Sequence, residues 1–450
     1  MRRRAVWGRE GRHDRACVLV VAVGAMAVAA ACAGDPAGRI GVVPSVSSVS
    51  SVSSVSSVSS VSAGTEPTAP SPAAAPDPGF AGVSVPVVTV PVVSVAGVSV
   101  PDDATTQVPV TVDARRPVRL VFTGDVLMHS PLWRQAERNG GGTYDFTPMF
   151  AAMRPWIEGA DLAVCHLETP VAPPFEPYST SPHYGVPAEV VDGLAAAGFD
   201  HCSTASNHTF DRGVAGVEVT VARFARNGIT QHGMAVTPEQ IEPVVLDVDG
   251  LWIGHVSATY GFDGSNPPAD EPWRSNRIDV DRLLADARLA RDRGAQMVVV
   301  SLHWGDSMSH LVSAEQRRIA EALAASGLVD LIVGHHAHVV QPVELIGSTW
   351  VAFGLGNFVS NMPIAESPFD ADDTRDGLVL EVEIERPVDG PPRISCVVGR
   401  PIWVDHEAGW VVRDVATARR DPVIAARIGA DLDASWNRTA AVVPWLVPIG

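Results

Sequence analysis

Lysine is absent from all 450 residues, so every one of the 33 basic side chains is arginine. That absence removes Schiff-base chemistry, a P-loop phosphate lysine and a serine–lysine dyad. Positive charge is scarce altogether, since 51 Asp and Glu bring the formal net charge to −18. Nucleic acid is held by basic surface, and its absence argues against nucleic acid as a partner. Cysteine is sparse too. Five residues (Cys17, Cys32, Cys165, Cys202 and Cys396) make no disulfide framework for a chain this long. Cys165 and Cys202 fall in apolar runs and are expected as small core side chains rather than as a bridge. None of the five reads as a nucleophile.

The apolar run Cys17 to Ala31 is short for a bilayer span and has the length of a signal-peptide core, with Arg2, Arg3, Arg4, Arg9, Arg12 and Arg15 before it. It ends in Ala29-Ala30-Ala31-Cys32. This resembles the bacterial lipoprotein processing box, with Ala29 where a larger aliphatic residue is usual. Residues 1–32 are therefore expected as an export leader, and Cys32 as a lipidated residue anchoring the protein to the outer face of the cell membrane. Ordinary secretion and a retained anchor are the alternatives.

Residues 33–117 cannot build a core. Ser45 to Ser62 repeat Ser-Val-Ser, Thr65 to Pro78 are rich in Pro and Ala, and Val83 to Pro101 alternate Val with Pro. The triplet fits neither a helical nor a strand period, and proline recurs too often for a central strand. A disordered spacer holding a domain off a surface is expected. The leader and spacer carry little net charge, so the acidity belongs to the folded part.

From Val118, apolar runs of strand length alternate with amphipathic windows. Val118 to Thr123, Asp161 to Cys165, Phe199 to Thr204, Leu251 to Ala258, Gln296 to Leu302 and Val329 to Val333 read as buried strands. Ala188 to Ala197, Gly213 to Asn227, Asp279 to Arg293 and Ser313 to Ala325 read as helices, the last opening with a Ser313/Gln316 capping box. The alternation predicts a layered α/β domain.

Polar residues gather where these strands end: Thr123-Gly124-Asp125, His166-Leu167-Glu168, Ser206-Asn207-His208, His303-Trp304-Gly305 and Gly334-His335-His336-Ala337-His338. Ligands of open α/β sheets collect outside the carboxyl ends of strands, so five segments deliver ionisable groups to one edge. Asp, Glu, Asn and His without thiolate form a mixed nitrogen and oxygen set suited to Mn²⁺, Fe or Zn²⁺. Three imidazoles within four residues have little value to a core. His183, His201, His232, His255, His310 and His406 lack this context and read as surface or satisfied core residues.

The motifs GDVLMH (Gly124 to His129), HLETP (His166 to Pro170), SNHTFDRG (Ser206 to Gly213), SLHWG (Ser301 to Gly305), VGHHAHVVQPVE (Val333 to Glu344) and FGLGNFV (Phe353 to Val359) resemble those of the CapA family. That family comprises bacterial capsule and poly-γ-glutamate synthesis proteins. The resemblance runs from about Val118 to Asn361. It implies an α/β/β/α sandwich of the calcineurin-like metallophosphatase type over residues 118–366, with residues 367–450 as an extension packed on it. It also implies two divalent ions. Asp125 and His338 would bind the first, Glu168 would bridge, and Asn207, His303 and one of His335 or His336 would bind the second, the Gly-His-x-His spacing favouring His336. His208 would act as general acid or substrate-orienting group, oriented by Asp211. The usual Asp-x-His is missing, and His129, four residues after Asp125, is the nearest imidazole downstream. Gly354 to Asn357 are expected as a tight turn bringing backbone near the site.

The resemblance implies a role in capsule or poly-γ-glutamate synthesis, with the polyanionic polymer or its membrane synthase complex as partner and phosphoester or γ-glutamyl amide hydrolysis as chemistry. A generic exported metallophosphoesterase and a non-catalytic accessory or scaffold protein of polymer export are the competing readings. The acidity constrains all of them, because a polyanion is repelled except near metals or an arginine cluster.

Overall fold

Fourteen strands appear in the computed structural model, which describes residues 116–362 and 372–445. The expected leader, the lipidation site Cys32 and the spacer up to residue 115 lie outside these residues. In chain order the strands are β1 (Val118–Val126), β2 (Leu162–Leu167), β3 (His201–Ser203), β4 (Thr230–His232), β5 (Val244–Val248), β6 (Leu251–Thr259), β7 (Met297–His303), β8 (Leu331–His335), β9 (Val343–Ile346), β10 (Thr349–Ala352), β11 (Asn357–Val359), β12 (Asp376–Glu385), β13 (Arg393–Asp405) and β14 (Val411–Asp414). One sheet runs β14-β13-β12-β1-β2-β3-β4 with β11 beside β1, and the other runs β5-β6-β7-β8-β10-β9. Strands β1 to β4 are parallel, as are β6, β7, β8 and β10, so each sheet has a run of carboxyl ends facing one way.

Side chains alternate across a strand, and here both faces of the central strands are apolar. Val121, Ala163 and Cys165 face the helices Ser130–Asn139, Glu189–Ala197 and Gly213–Asn227 through Leu132, Leu194 and Phe224. Leu120, Phe122 and Val164 face Ile253, Met297, Val299 and Val333 of the other sheet. Val298, Val300 and Ile332 meet Leu283 and Ala287 of helix Val280–Asp292 and Ile319 and Leu323 of helix Ala314–Ala325. The result is the expected layering of helix, sheet, sheet and helix. Each fully buried large side chain contributes about 1.5–3 kcal/mol.

Local signals set the helix ends. Ser313 and Gln316 form both bonds of a capping box, and Gly198 and Gly228 close their helices in the left-handed conformation. Among the described residues no helix is long and apolar enough to cross a membrane.

Two findings go beyond the sequence reading. Residues 376–414, expected as part of a packed extension, supply β12, β13 and β14, and β12 lies directly against β1. Cys165 and Cys202, expected as separate core thiols, are joined in a disulfide. They are register partners on β2 and β3 with Cα atoms 4.4 Å apart, so parallel pairing sets them side by side within the apolar layer.

The space between the sheets changes character along the strands. The inward face of β7 reads Met297, Val299, Ser301, His303, that of β8 Leu331, Val333, His335, and that of β2 Leu162, Val164, His166. The layer is apolar near the amino ends and polar near the carboxyl ends, where the candidate site sits.

Candidate metal centre

Asp125 reaches the site because two backbones nearly touch behind it. A Cβ on Gly124 would lie 2.0 Å from the carbonyl oxygen of Gly356, and the Asp125 amide donates to that oxygen at 2.9 Å. Gly356 has φ +66°, so the turn from Gly354 to Asn357 does run against the site and uses glycine's conformational freedom. One Asp125 carboxylate oxygen lies 3.1 Å from His335 Nδ1. The other takes the His336 amide at 3.1 Å and lies 3.2 Å from His338 Nδ1.

Glu168 follows β2 and sits at the centre. It is fully buried, and neither carboxylate oxygen has a hydrogen-bond partner. Its Oε1 lies 3.7 Å from His338 Nε2 and 3.9 Å from His303 Nε2. An unpaired buried carboxylate is costly, so this one calls for a cation.

Asn207 and His303 meet on the other side, with His303 Nε2 2.8 Å from Asn207 Oδ1. The amide is held this way round because its Nδ2 donates to Asp263 at 2.8 Å. His336 turns toward this group, its ring centre 4.8 Å from that of His303 and 4.7 Å from that of Tyr260, and its buried Nδ1 has no partner. His335 turns the other way, its ring stacked on His166 at 3.9 Å. Thus the two adjacent histidines are distinguished by direction. His336 and His338 have φ of 86° and 56°, a conformation costing a non-glycine residue about 1–3 kcal/mol and typical of functional sites.

His208 sits at the edge with Nδ1 2.8 Å from Asp211, whose side chain is buried. Tyr184 packs edge-on to it at 4.6 Å. His129 is close by but occupied: its Nε2 lies 3.1 Å from the Tyr184 hydroxyl, and its Nδ1 accepts the Asn361 amide at 3.3 Å. Both nitrogens are taken by protein groups.

Charge is strongly redistributed. Burial pushes the Glu168 carboxyl up to about 7. Asp125 is held well below the usual carboxylate range, its desolvation being outweighed by His335 and His338. Burial opposes charge on His338, but Glu168 and Asp125 raise it to about 9. His208 is likewise raised against its desolvation by the Asp211 bond and Glu168. Burial lowers His336 to about 4 and His303 well below its ordinary value, keeping both as neutral donors to a metal.

Asp125, Glu168 and His338 bring ligand atoms within 4.8 Å of one another, as do Asp125, His166 and His303. The orphaned Glu168 oxygens, the free His336 nitrogen and the neutral imidazoles fit divalent cations. Sequence reasoning placed His166 at the site edge without giving it a role, and passed over Asp263, Tyr184 and Tyr260. His166 was legible in principle, since it lies two residues before Glu168 on the same face of β2. Asp263 and the tyrosines arrive on loops that no period marks.

Residues 119–362 match the family model described as "Bacterial capsule synthesis protein PGA_cap". The chain is 26% identical over 248 residues to the capsule biosynthesis protein CapA of Bacillus anthracis, covering 53% of this chain and 59% of that one. It is 27% identical over 248 residues to the PGA biosynthesis protein CapA of Bacillus subtilis, covering 53% and 62%. The chain therefore spans about three-fifths of the length of these two relatives. Among solved structures it resembles the calcineurin-like phosphoesterase YfkN of Bacillus subtilis, with 11% identity, a TM-score of 0.38, and coverage of 72% of this chain and 99% of that one.

Proposed function

Because the chain belongs to the bacterial capsule synthesis family, we propose that it serves capsule or poly-γ-glutamate biosynthesis and carries a two-metal, phosphoesterase-like hydrolytic site. The observation that carries this reading is the buried Glu168 carboxylate, bare of hydrogen bonds and faced by His303 and His338. Bound divalent ions would supply Lewis-acid charge and a more acidic water. Asp125 and His338 would hold one ion, Glu168 would bridge, and Asn207, His303 and His336 would hold the other.

The remaining chemistry falls to the chain's own side chains. Asp211 occupies Nδ1 of His208, and Nε2, which faces Asn207 Nδ2 at 3.3 Å, would have to give up that contact to hold a proton for a leaving-group oxygen or nitrogen. Tyr184 fixes the plane of that ring from the side. The substrate is a phosphoester or the γ-glutamyl amide of the polymer. Since the chain is strongly acidic, such an anion gains attraction only where cations sit, which the ligand set supports.

In this proposal the domain works outside the cell, exported by residues 1–32, tethered through Cys32 to the membrane and spaced from it by residues 33–117. Its partners are the polyanionic polymer or the membrane synthase complex. The occupation of both His129 nitrogens supports a second reading, a non-catalytic accessory protein of polymer export.

Metal analysis of the full chain, then hydrolysis assays on phosphodiesters and γ-glutamyl peptides with His208→Ala and His338→Ala controls, tests these readings. Lack of stoichiometric metal would sink the hydrolase. Activity unchanged in His208→Ala would remove its role as acid. A metal-loaded chain inert in both assays, whose gene deletion still abolishes polymer, selects the accessory reading.

A further inference from the structure

His303 offers Nε2 to the site, and its other nitrogen is not left to solvent. Nδ1 lies 3.1 Å from His166 Nε2, and His166 Nδ1 lies 2.8 Å from Ser203 Oγ, which lies 3.4 Å from the Cys165 carbonyl. All three side chains are buried, and His335 stacks on the His166 ring with planes 14° apart. Neutral imidazole has one donor and one acceptor nitrogen, so protons along this chain are not independent.

Only two directions run consistently from Ser203 to His303. In the first, Ser203 donates to His166 Nδ1, His166 Nε2–H donates to His303 Nδ1, and His303 Nε2–H donates to Asn207 Oδ1. That oxygen is an acceptor because Asp263 holds the amide nitrogen. In the second, His303 Nε2 is bare, Nδ1–H donates to His166 Nε2, His166 Nδ1–H donates to Ser203, and Ser203 donates to the Cys165 carbonyl. A metal ligand must present a bare nitrogen, so only the second direction is compatible with a cation on His303 Nε2.

We propose that His166, backed by Ser203, is a positioning residue that fixes the tautomer of His303, and that the whole hydrogen-bond chain reverses direction when His303 takes a divalent cation. The reversal conserves protons. Each ring carries one and Ser203 carries one in both directions: each imidazole exchanges its proton from Nε2 to Nδ1 and Ser203 turns its hydroxyl to the Cys165 carbonyl, with no net release. Sequence gives His166 no such role: it sits on a different sheet from His303 and meets it only across the sandwich. The inference rests on the reading that His303 is a metal ligand.

The test uses the full chain with ¹⁵N-labelled histidine and Zn²⁺ as the probe. Without zinc, ¹⁵N shifts are expected to report protonated Nε2 on both His303 and His166. With zinc, both are expected to carry the proton on Nδ1. In calorimetric titration His166→Leu should weaken zinc binding about 10- to 100-fold at unchanged stoichiometry. His166→Gln, which keeps a polar acceptor near the Nε2 position, should recover most of it.

Unchanged His166 tautomers on zinc addition in the wild type, where no substitution can confuse folding, would overturn the reversal. Equal affinity of His166→Leu would overturn the positioning role. A metal-bound shift on His166 itself, with stoichiometry lost in His166→Leu, would make it a ligand within the Asp125, His166 and His303 group instead. A wild-type chain that binds no zinc overturns the metal reading and this inference together, and the titration separates that outcome from the others.

Discussion

His338 shares its Nδ1 between the side-chain oxygen of Asn357, 3.1 Å away, and Asp125 Oδ2, 3.2 Å away. Asn357 in turn donates from Nδ2 to the Thr374 carbonyl at 2.9 Å and the His338 carbonyl at 3.2 Å. One amide thus aims the imidazole and ties β11 to the turn that leads into β12. Asn357→Ala is expected to lose about 1–3 kcal/mol of stability, because buried acceptors are left unpaired. It should also weaken metal binding about 10- to 100-fold. Urea denaturation and a metal titration measure the two effects separately.

Gly334 lies where β8 passes the Phe353 backbone. A Cβ there would come within 1.8 Å of the Phe353 carbonyl oxygen and 2.6 Å of Trp304 Nε1. Neither can retreat, since the Leu355 amide bonds to the Gly334 carbonyl and Trp304 bonds to the Phe353 carbonyl. Gly334→Ala is expected to cost at least about 1–3 kcal/mol, read as a lower urea midpoint at unchanged slope.

Removing the Asp211 charge tests the proposed acid. His208 is raised although burial works against its charged form, and the Asp211 bond is the largest raising cause. A general acid must be protonated, so activity falls as pH rises through its pKa. Asp211→Asn lowers that pKa, and the alkaline fall in kcat is expected to move to lower pH. A pH–rate profile that does not move would remove His208 from the acid role.

His310 and Asp373 form a second pH-dependent pair away from the candidate metal centre. His310 Nε2 lies 2.9 Å from Asp373 and its Nδ1 bonds the Val340 carbonyl. The Asp373 bond raises His310, and the same bond lowers Asp373. A raised histidine stabilises fully below its unfolded value of 6.5, and the effect fades as pH climbs through the raised one. A lowered aspartate stabilises above its unfolded value of 3.8, and the effect fades as pH drops through the lowered one. The pair therefore contributes most between those two values. Both side chains are partly exposed, so the gain is about 1 kcal/mol or less. The stability difference between wild type and Asp373→Asn should be largest near pH 5–6 and shrink by pH 9.

The sequence announced the strands whose both faces are apolar. Val118 to Thr123, Gln296 to Leu302 and Val329 to Val333 each fall within or next to an observed strand, and the helix over Gly213 to Asn227 matches end to end. Strands β12 and β13 were less visible because charge interrupts them. Glu381 is buried in β12, and only the fold explains it: Arg400 on β13 and Arg119 on β1 pair with it at 2.8 and 2.7 Å. In the site, the clustering of Asp125, Glu168, Asn207, His303 and the three histidines near β8 followed from strand ends meeting at one edge. What could not be read was direction. Whether His335 or His336 turns toward Asn207 depends on a positive φ, and which nitrogen of His303 faces the centre depends on a partner 137 residues away in the chain.

Three further histidines set a limit on acidity. His201, in register with Val164, His255, in register with Val299, and His232 are buried, with His201 bonded to His255 at 2.9 Å. Burial pushes His201 down to about 3 and His232 to about 4, and holds His255 well below its ordinary value. Their folded values are depressed, so below pH 6.5 the unfolded chain takes up protons that the folded one refuses. Each such group costs up to roughly 1.4 kcal/mol per pH unit while only its unfolded form takes the proton. The sandwich is thereby expected to lose stability as pH falls below 6.5, before its ordinary surface carboxylates begin to titrate.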